Sequence, residues 1–197
     1  MNSCGLVLLA AGASDRMGQP KQLLMYKGRT MLEYSLQSAT KSVFEQVVIV
    51  LGANSDQIMS LIENTRPLIA VNKDWNEGMA SSIRCGLSVL TSKFPSMAAA
   101  GFMVCDQPFI SSFLLNELVS RWNEKDKAIV ACKYENTIGT PALFSSHFFP
   151  ELMQLKGQEG AKKLIMKHPD DVQTMPFPKG DIDIDTMEDY KKLTDDR

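Results

Sequence analysis

Five apolar runs constrain this chain more than anything else in it. Leu6–Ala10, Val47–Leu51, Leu68–Val71, Gly101–Val104 and Ala128–Ala131 are apolar on successive residues, not alternate ones. Strands buried on both faces have this pattern, and such strands belong to parallel sheets covered by helices. Helical patterns fill the gaps between them: Thr30–Lys41, Ser55–Asn64, Met79–Leu90 and Ser111–Asn123. The alternation predicts an α/β fold, a Rossmann-like three-layer αβα sandwich whose mostly parallel sheet is joined by right-handed crossovers. The 197 residues suffice for one such core, with no repeat, linker or low-complexity tract, so residues 1–197 read as a single domain.

Beyond Tyr134 the pattern is less regular, which suggests an inserted or appended subregion over about 134–180. Thr140–Phe144 reads as a further strand, Ser146–Leu155 and Gly157–Lys167 as helices, and Val172–Met175 as a short strand. Asp185-Thr186-Met187-Glu188 has the D-x-x-E form of a capping box. It predicts Asp185 as the N-cap of a last helix ending near Thr194.

A net charge of −2 gives no basic field for nucleic acid. No segment approaches a membrane span, and the first residues lack the basic start and cleavage site of a signal peptide. Cys4, Cys85, Cys105 and Cys132 are far apart, and no C-x-x-C or Cys/His cluster suggests zinc. Buried reduced thiols in a cytoplasmic protein are the expectation.

The first apolar run leads directly into Ala10-Ala11-Gly12-Ala13-Ser14-Asp15-Arg16-Met17-Gly18-Gln19-Pro20-Lys21. Small residues let backbone approach a ligand, turn N–H groups make an anion-binding concavity, and the cations add charge. The loop therefore reads as a triphosphate cradle. It is neither a Walker loop, since Lys21 comes three residues after Gly18, nor a G-x-G-x-x-G dinucleotide loop.

Ligands of open parallel sheets bind beyond the carboxyl ends of the strands. Three more segments fall there: Asn72–Arg84, Cys105-Asp106-Gln107-Pro108 and Asp181-Ile182-Asp183-Ile184-Asp185. Each has a functional and a purely structural interpretation. Asp106 is a Mg²⁺ ligand or a turn-forming aspartate, and Asp183 is a metal ligand or a solvated strand residue. Ser81 and Ser82 contact a ligand or bond backbone N–H groups in a helix first turn. Trp75 packs, at most at the site wall. Lys162, Lys163 and Lys167 read as a solvated helix face, and His147 and His168 have no metal partners at helical spacing.

L-A-A-G-x-S-x-R-M-G-x-P-K, N-x-x-W-x-E-G-M-x-S-S-I-R, C-D-Q-P and D-I-D-T-x-E-D occur in this order over roughly Gly5 to Leu193. Together they resemble the molybdenum cofactor nucleotidyltransferases of the NTP-transferase superfamily, closest to the cytidylyltransferase branch. The resemblance implies the nucleotide-diphospho-sugar transferase type of sandwich. It implies that the phosphate of molybdopterin attacks the α-phosphorus of CTP and pyrophosphate leaves. The product would be molybdopterin cytosine dinucleotide, destined for a molybdenum hydroxylase of the xanthine-dehydrogenase type. Carried onto this chain, Arg16, Lys21 and Asp106 would be the catalytic residues, with Arg16 and Lys21 on the triphosphate. Ala10, Ala11, Gly12, Ala13 and Ser14 would approach the nucleotide. Gly78, Met79, Ser81 and Ser82 would contact base and ribose, and Asp106 and Asp183 would hold Mg²⁺.

Within this class the rivals are guanylyl transfer from GTP and transfer to a sugar or alcohol phosphate. Outside it stand a nicotinamide-dependent oxidoreductase, opposed by the missing G-x-G-x-x-G, and a non-catalytic factor delivering cofactor to a molybdenum hydroxylase.

Overall fold

The first strand, β1 (Cys4–Ala10), is buried along its whole length. Leu6, Leu8 and Ala10 pack into one hydrophobic cluster, and Val7 and Leu9 into another, so the strand divides two cores. The structure, a computed structural model, describes residues 3–62, 67–124 and 127–195.

After β1 the chain forms a small hairpin, β2 (Met25–Tyr26) and β3 (Arg29–Thr30). Lys27 and Gly28 turn it, with φ of 49° and 80°. Helix α1 (Met31–Thr40) begins at a capping box. Thr30 Oγ1 accepts from Glu33 N at 3.2 Å, and the Glu33 carboxylate accepts from Thr30 N at 2.8 Å. Such a cap contributes about 1 kcal/mol. There follow β4 (Gln46–Leu51), α2 (Ser55–Ile62), β5 (Leu68–Val71), α3 (Met79–Lys93), β6 (Ala99–Val104) and α4 (Ser112–Asn123). The chain continues through β7 (Ile129–Tyr134), β8 (Thr137–Ser145), α5 (Phe149–Leu152), α6 (Lys162–Lys167), β9 (Val172–Pro176) and α7 (Met187–Asp195). The Asn64 end expected for the second helix lies outside the described residues.

The large sheet has seven strands in the order β5-β4-β1-β6-β8-β7-β9. All neighbours pair in parallel except β8, which is antiparallel to both β6 and β7. On one face lie α1, α2 and α4, contributing Leu32, Ile58 and Leu115, with Met187, Tyr190 and Leu193 of α7 packed alongside. On the other lie α3, α5 and α6, contributing Ile83, Leu152 and Leu164. The expected three-layer α/β sandwich is thus the observed one. Gly86 lets α3 settle onto the sheet, because a Cβ there would run into Val7 and Val50.

Four local expectations are corrected. The run Leu68–Val71 is not buried on both faces: Ile69 and Val71 are exposed, because β5 is an edge strand. Ser146–Leu155 contains a 3-10 turn (Ser146–Phe148) before α5, which ends at Leu152. Only Lys162–Lys167 of the segment 157–167 is α-helical, and Gly157 turns at φ 56°. The last helix is capped one residue later than expected. Thr186 N and Oγ1 donate to Asp189 Oδ2 at 2.9 and 2.7 Å, and Asp189 N donates back to Thr186 Oγ1 at 3.2 Å. Thr186 fills the N-cap role, which leaves the Asp185 carboxylate available elsewhere. No helix among the described residues is long and apolar enough to cross a membrane.

Candidate active site

The loop after β1 is shaped by two left-handed residues, Ser14 (φ 63°) and Gly18 (φ 67°). Two side chains fasten it. Ser14 Oγ accepts from Lys21 N at 3.0 Å, and buried Gln22 donates through Nε2 to the carbonyls of Ala10 (2.9 Å) and Gly12 (3.0 Å). Gln22 thus holds both ends of the alanine–glycine turn, a role that its polar side chain in a loop did not betray in sequence.

Lys21 reaches from this loop to the end of β6. Its Nζ lies 2.5 Å from Asp106 Oδ2 and 3.1 Å from Asp185 Oδ1. Burial lowers the Lys21 pKa, but the charges and hydrogen bonds of Asp106 and Asp185 outweigh it, so the net shift is upward. Arg16 is largely exposed, with Nη1 3.8 Å from Asp185 Oδ2. Asp185 therefore bridges the two cations instead of capping α7.

The C-terminal segment is fixed to Asp106 through backbone: Ile184 N donates to the Asp106 carbonyl at 3.0 Å. Buried Gln107 donates to the Gly180 carbonyl at 2.7 Å and accepts from Thr140 Oγ1 at 3.3 Å. Burial, then the Asp106 carboxylate, push the Asp183 pKa up to about 6. Cys105 is inert: burial and then Asp106 push its thiol up to about 12, far from a thiolate nucleophile at neutral pH. Cys4, Cys85, Cys105 and Cys132 are thiols, not disulfides.

Asn72 organises the opposite wall. It is buried, and Nδ2 donates to Ser81 Oγ (2.8 Å) and Ser82 Oγ (3.1 Å), while Oδ1 accepts from Asp74 N (3.0 Å). Ser81 Oγ in turn donates to the Gly78 carbonyl at 2.8 Å, which engages both sides of that hydroxyl. Gly78 adopts φ 119° with ψ −169°, and a Cβ would meet the Gly157 carbonyl oxygen at 2.5 Å. That proximity lets Ala80 N donate to Gly157 O at 3.1 Å and ties the α3 start to the segment before α6.

These elements enclose a cleft of about 380 Å³ at the carboxyl ends of β1 and β6. Ala10, Ala11, Gly12, Ala13, Lys21, Gly78, Met79, Ser82 and Asp106 all line it. Ser14 and Ser81 act behind the wall, Arg16 lies outside, and Asp183 lines a neighbouring cavity. Trp75, Asn76 and Gln158 line it as well, as does the acidic Asp15. Gln158 comes from the irregular segment, where no periodicity pointed to a contact.

Among the described residues, no three His, Cys, Asp or Glu side chains gather as a metal cage. Mg²⁺ seldom uses one: it keeps waters and takes one or two carboxylates plus substrate phosphates. Asp106 lines the cleft and Asp183 the neighbouring cavity; as carboxylates they could meet that demand, and the Asp106 charge that raises the Asp183 pKa is what a divalent cation would relieve.

The chain is 30% identical over 199 residues to nicotine blue oxidoreductase of Paenarthrobacter nicotinovorans, covering 95% of this chain and 94% of that one. It is 31% identical over 196 residues to purine catabolism protein PucB of Bacillus subtilis, covering 93% and 92%. Rv0371c of Mycobacterium tuberculosis superimposes with a TM-score of 0.87 at 29% identity over 98% of each chain. A second Rv0371c structure, complexed with manganese, gives a TM-score of 0.82 at 27% identity over 100% of both chains. Residues 6–172 match the family described as MobA-like NTP transferase domain, and the chain belongs to that nucleotidyltransferase family.

Proposed function

We propose that the chain, acting as one domain, transfers CMP from CTP to the phosphate of molybdopterin, releasing pyrophosphate. The observation that carries this is the Lys21–Asp106 pair at the mouth of a cleft walled by small residues. The acceptor phosphate oxygen forms a bond to the α-phosphorus while the bond to the β-phosphate bridging oxygen breaks. The electron pair leaves with pyrophosphate. Such a reaction needs positioning and charge neutralisation more than a proton shuttle. Lys21 stabilises the charge gathering on the leaving pyrophosphate, and Arg16 folds in from solvent onto the terminal phosphate. The Ala10–Ser14 backbone carries the nucleotide, and Ser82, with Gly78 and Met79, meets ribose and base. Ser81 positions that wall through Asn72. Asp106 and Asp183 would hold Mg²⁺, which supplies charge neutralisation at the α-phosphate; the manganese complex of Rv0371c supports a divalent-metal site. The eventual recipient of the product would be a molybdenum hydroxylase, as the resemblance of the sequence motifs implies.

A pyrophosphate-release assay with molybdopterin cofactor, Mg²⁺ and each NTP in turn tests the proposal. Preference for CTP supports it; preference for GTP replaces it with guanylyl transfer; release with none removes the enzymatic reading. The likeness to nicotine blue oxidoreductase favours a second reading, redox chemistry on the same fold. Turnover at the nicotinamide absorbance band without pyrophosphate release would select it.

A further inference from the structure

Glu77 and Arg84 belong to the Asn72–Arg84 segment, yet neither lines the nucleotide cleft. They join two of its walls from behind. Arg84, on the second turn of α3, donates through Nη2 to Glu77 Oε2 at 2.7 Å and through Nη1 to the Leu155 carbonyl at 2.5 Å. One side of this fork holds the 3-10 turn that carries Trp75 and Asn76 into the cleft. The other holds the chain just before Gln158, which lines the cleft from the far side of Gly78. A partly exposed ion pair contributes little alone. A planar guanidinium that serves two partners on different segments fixes their separation, and a lysine in its place does not.

The segment that Arg84 grips presents one side chain. Gly157 turns at φ 56° and accepts from Ala80 N at 3.1 Å. The Glu159 carboxylate accepts from Lys156 N at 2.9 Å and pairs with Lys163. Gln158 stands between these ties. Its amide carbon lies 2.9 Å from where a Cβ on Gly78 would be, so the amide occupies the space that the glycine leaves open beside the cleft. An amide offers both a donor and an acceptor, as the polar edge of a nucleobase does; a bare triphosphate has no such edge.

We infer that Arg84 is a positioning residue. Through Glu77 and Leu155 it holds the Trp75 turn and Gln158 at the spacing that admits the nucleoside end of the substrate, and it leaves the triphosphate end to the loop after β1. The inference rests on the nucleotidyl-transfer reading and adds to it the device that sets the width of the cleft.

Calorimetric titration in the presence of Mg²⁺ compares CTP with inorganic tripolyphosphate. In Arg84→Met the Kd for CTP should rise about fivefold or more, and that for tripolyphosphate less than about twofold. The KM for CTP should rise in step while kcat stays within about twofold of the parent. Arg84→Lys, which restores the charge without the fork, should behave like Arg84→Met. Glu77→Ala cuts the fork at its more exposed end, should show the same CTP-selective loss, and decides the matter if Arg84→Met does not fold. Adding Gln158→Ala to Arg84→Met should weaken CTP binding by less than about a further twofold, since both changes act on one contact. Equal losses for CTP and tripolyphosphate that Arg84→Lys repairs would mean a distant charge acting on the phosphates, and would overturn the inference. Unchanged CTP binding in either folded variant overturns it as well. A parent protein that binds neither CTP nor GTP more tightly than tripolyphosphate removes the nucleotidyl-transfer reading itself, and the inference with it.

Discussion

Lys21 and Asp106, 85 residues apart in sequence, meet at 2.5 Å across the ends of β1 and β6. Their side chains are only 18% and 22% exposed, so the pair is screened far less than a surface salt bridge. The contact joins the loop after β1 to the end of β6, and two consequences follow for Lys21. Lys21→Met should lower kcat/KM about 100–1,000-fold, the usual loss when one preorganised charge donor is removed. Its raised pKa means that the ion pairs stabilise the folded state below the ordinary lysine range and cease to do so as pH climbs through the folded value. Thermal denaturation above pH 10 should therefore show a loss of stability in the parent protein that is weaker in Lys21→Met.

Asp183 behaves in the opposite region of pH. Its pKa is raised to about 6, so the fold favours the protonated acid, and ionisation costs stability as pH rises from about 4 to 6. Asp183→Asn should raise the melting temperature at pH 7, and the difference should vanish below pH 4. Divalent cation should narrow the gap at pH 7 by stabilising the parent alone.

Asn72→Ala removes a buried amide that serves Ser81, Ser82 and Asp74 N. Stranding those groups should cost about 1–3 kcal/mol in urea denaturation. The nucleotide KM should rise several-fold, with kcat changed less, because the wall is displaced and the Lys21–Asp106 pair is not.

Gly78→Ala forces a side chain into a backbone conformation that only glycine adopts readily, against the Gly157 carbonyl. The expected destabilisation is about 3 kcal/mol. Gly12→Ala is the control: it meets nothing within 4 Å, so stability should be nearly unchanged.

The sheet was legible because burial on both faces writes itself as unbroken apolar runs, and β1, β4 and β6 follow theirs closely. The β2–β3 hairpin was not, since two-residue strands leave no periodicity. Neither was the role of Gln22, whose hydrogen bonds go to backbone carbonyls that every residue possesses. Asp185 was misplaced for a related reason: D-x-x-E and T-x-x-D are offset by a single residue, and only packing decides which forms the cap. Lys21 and Asp106 were individually visible as a loop cation and a strand-end acid, and the parallel topology brought them together.

Transfer from CTP labelled at the α-phosphate tests the central claim most directly. With molybdopterin and Mg²⁺, the label should move to the acceptor in one-to-one ratio with pyrophosphate released, and a folded Asp106→Ala protein should nearly abolish both. Label remaining in CTP while a nicotinamide cofactor is turned over, or a folded Asp106→Ala protein working at parental rates, would contradict the account.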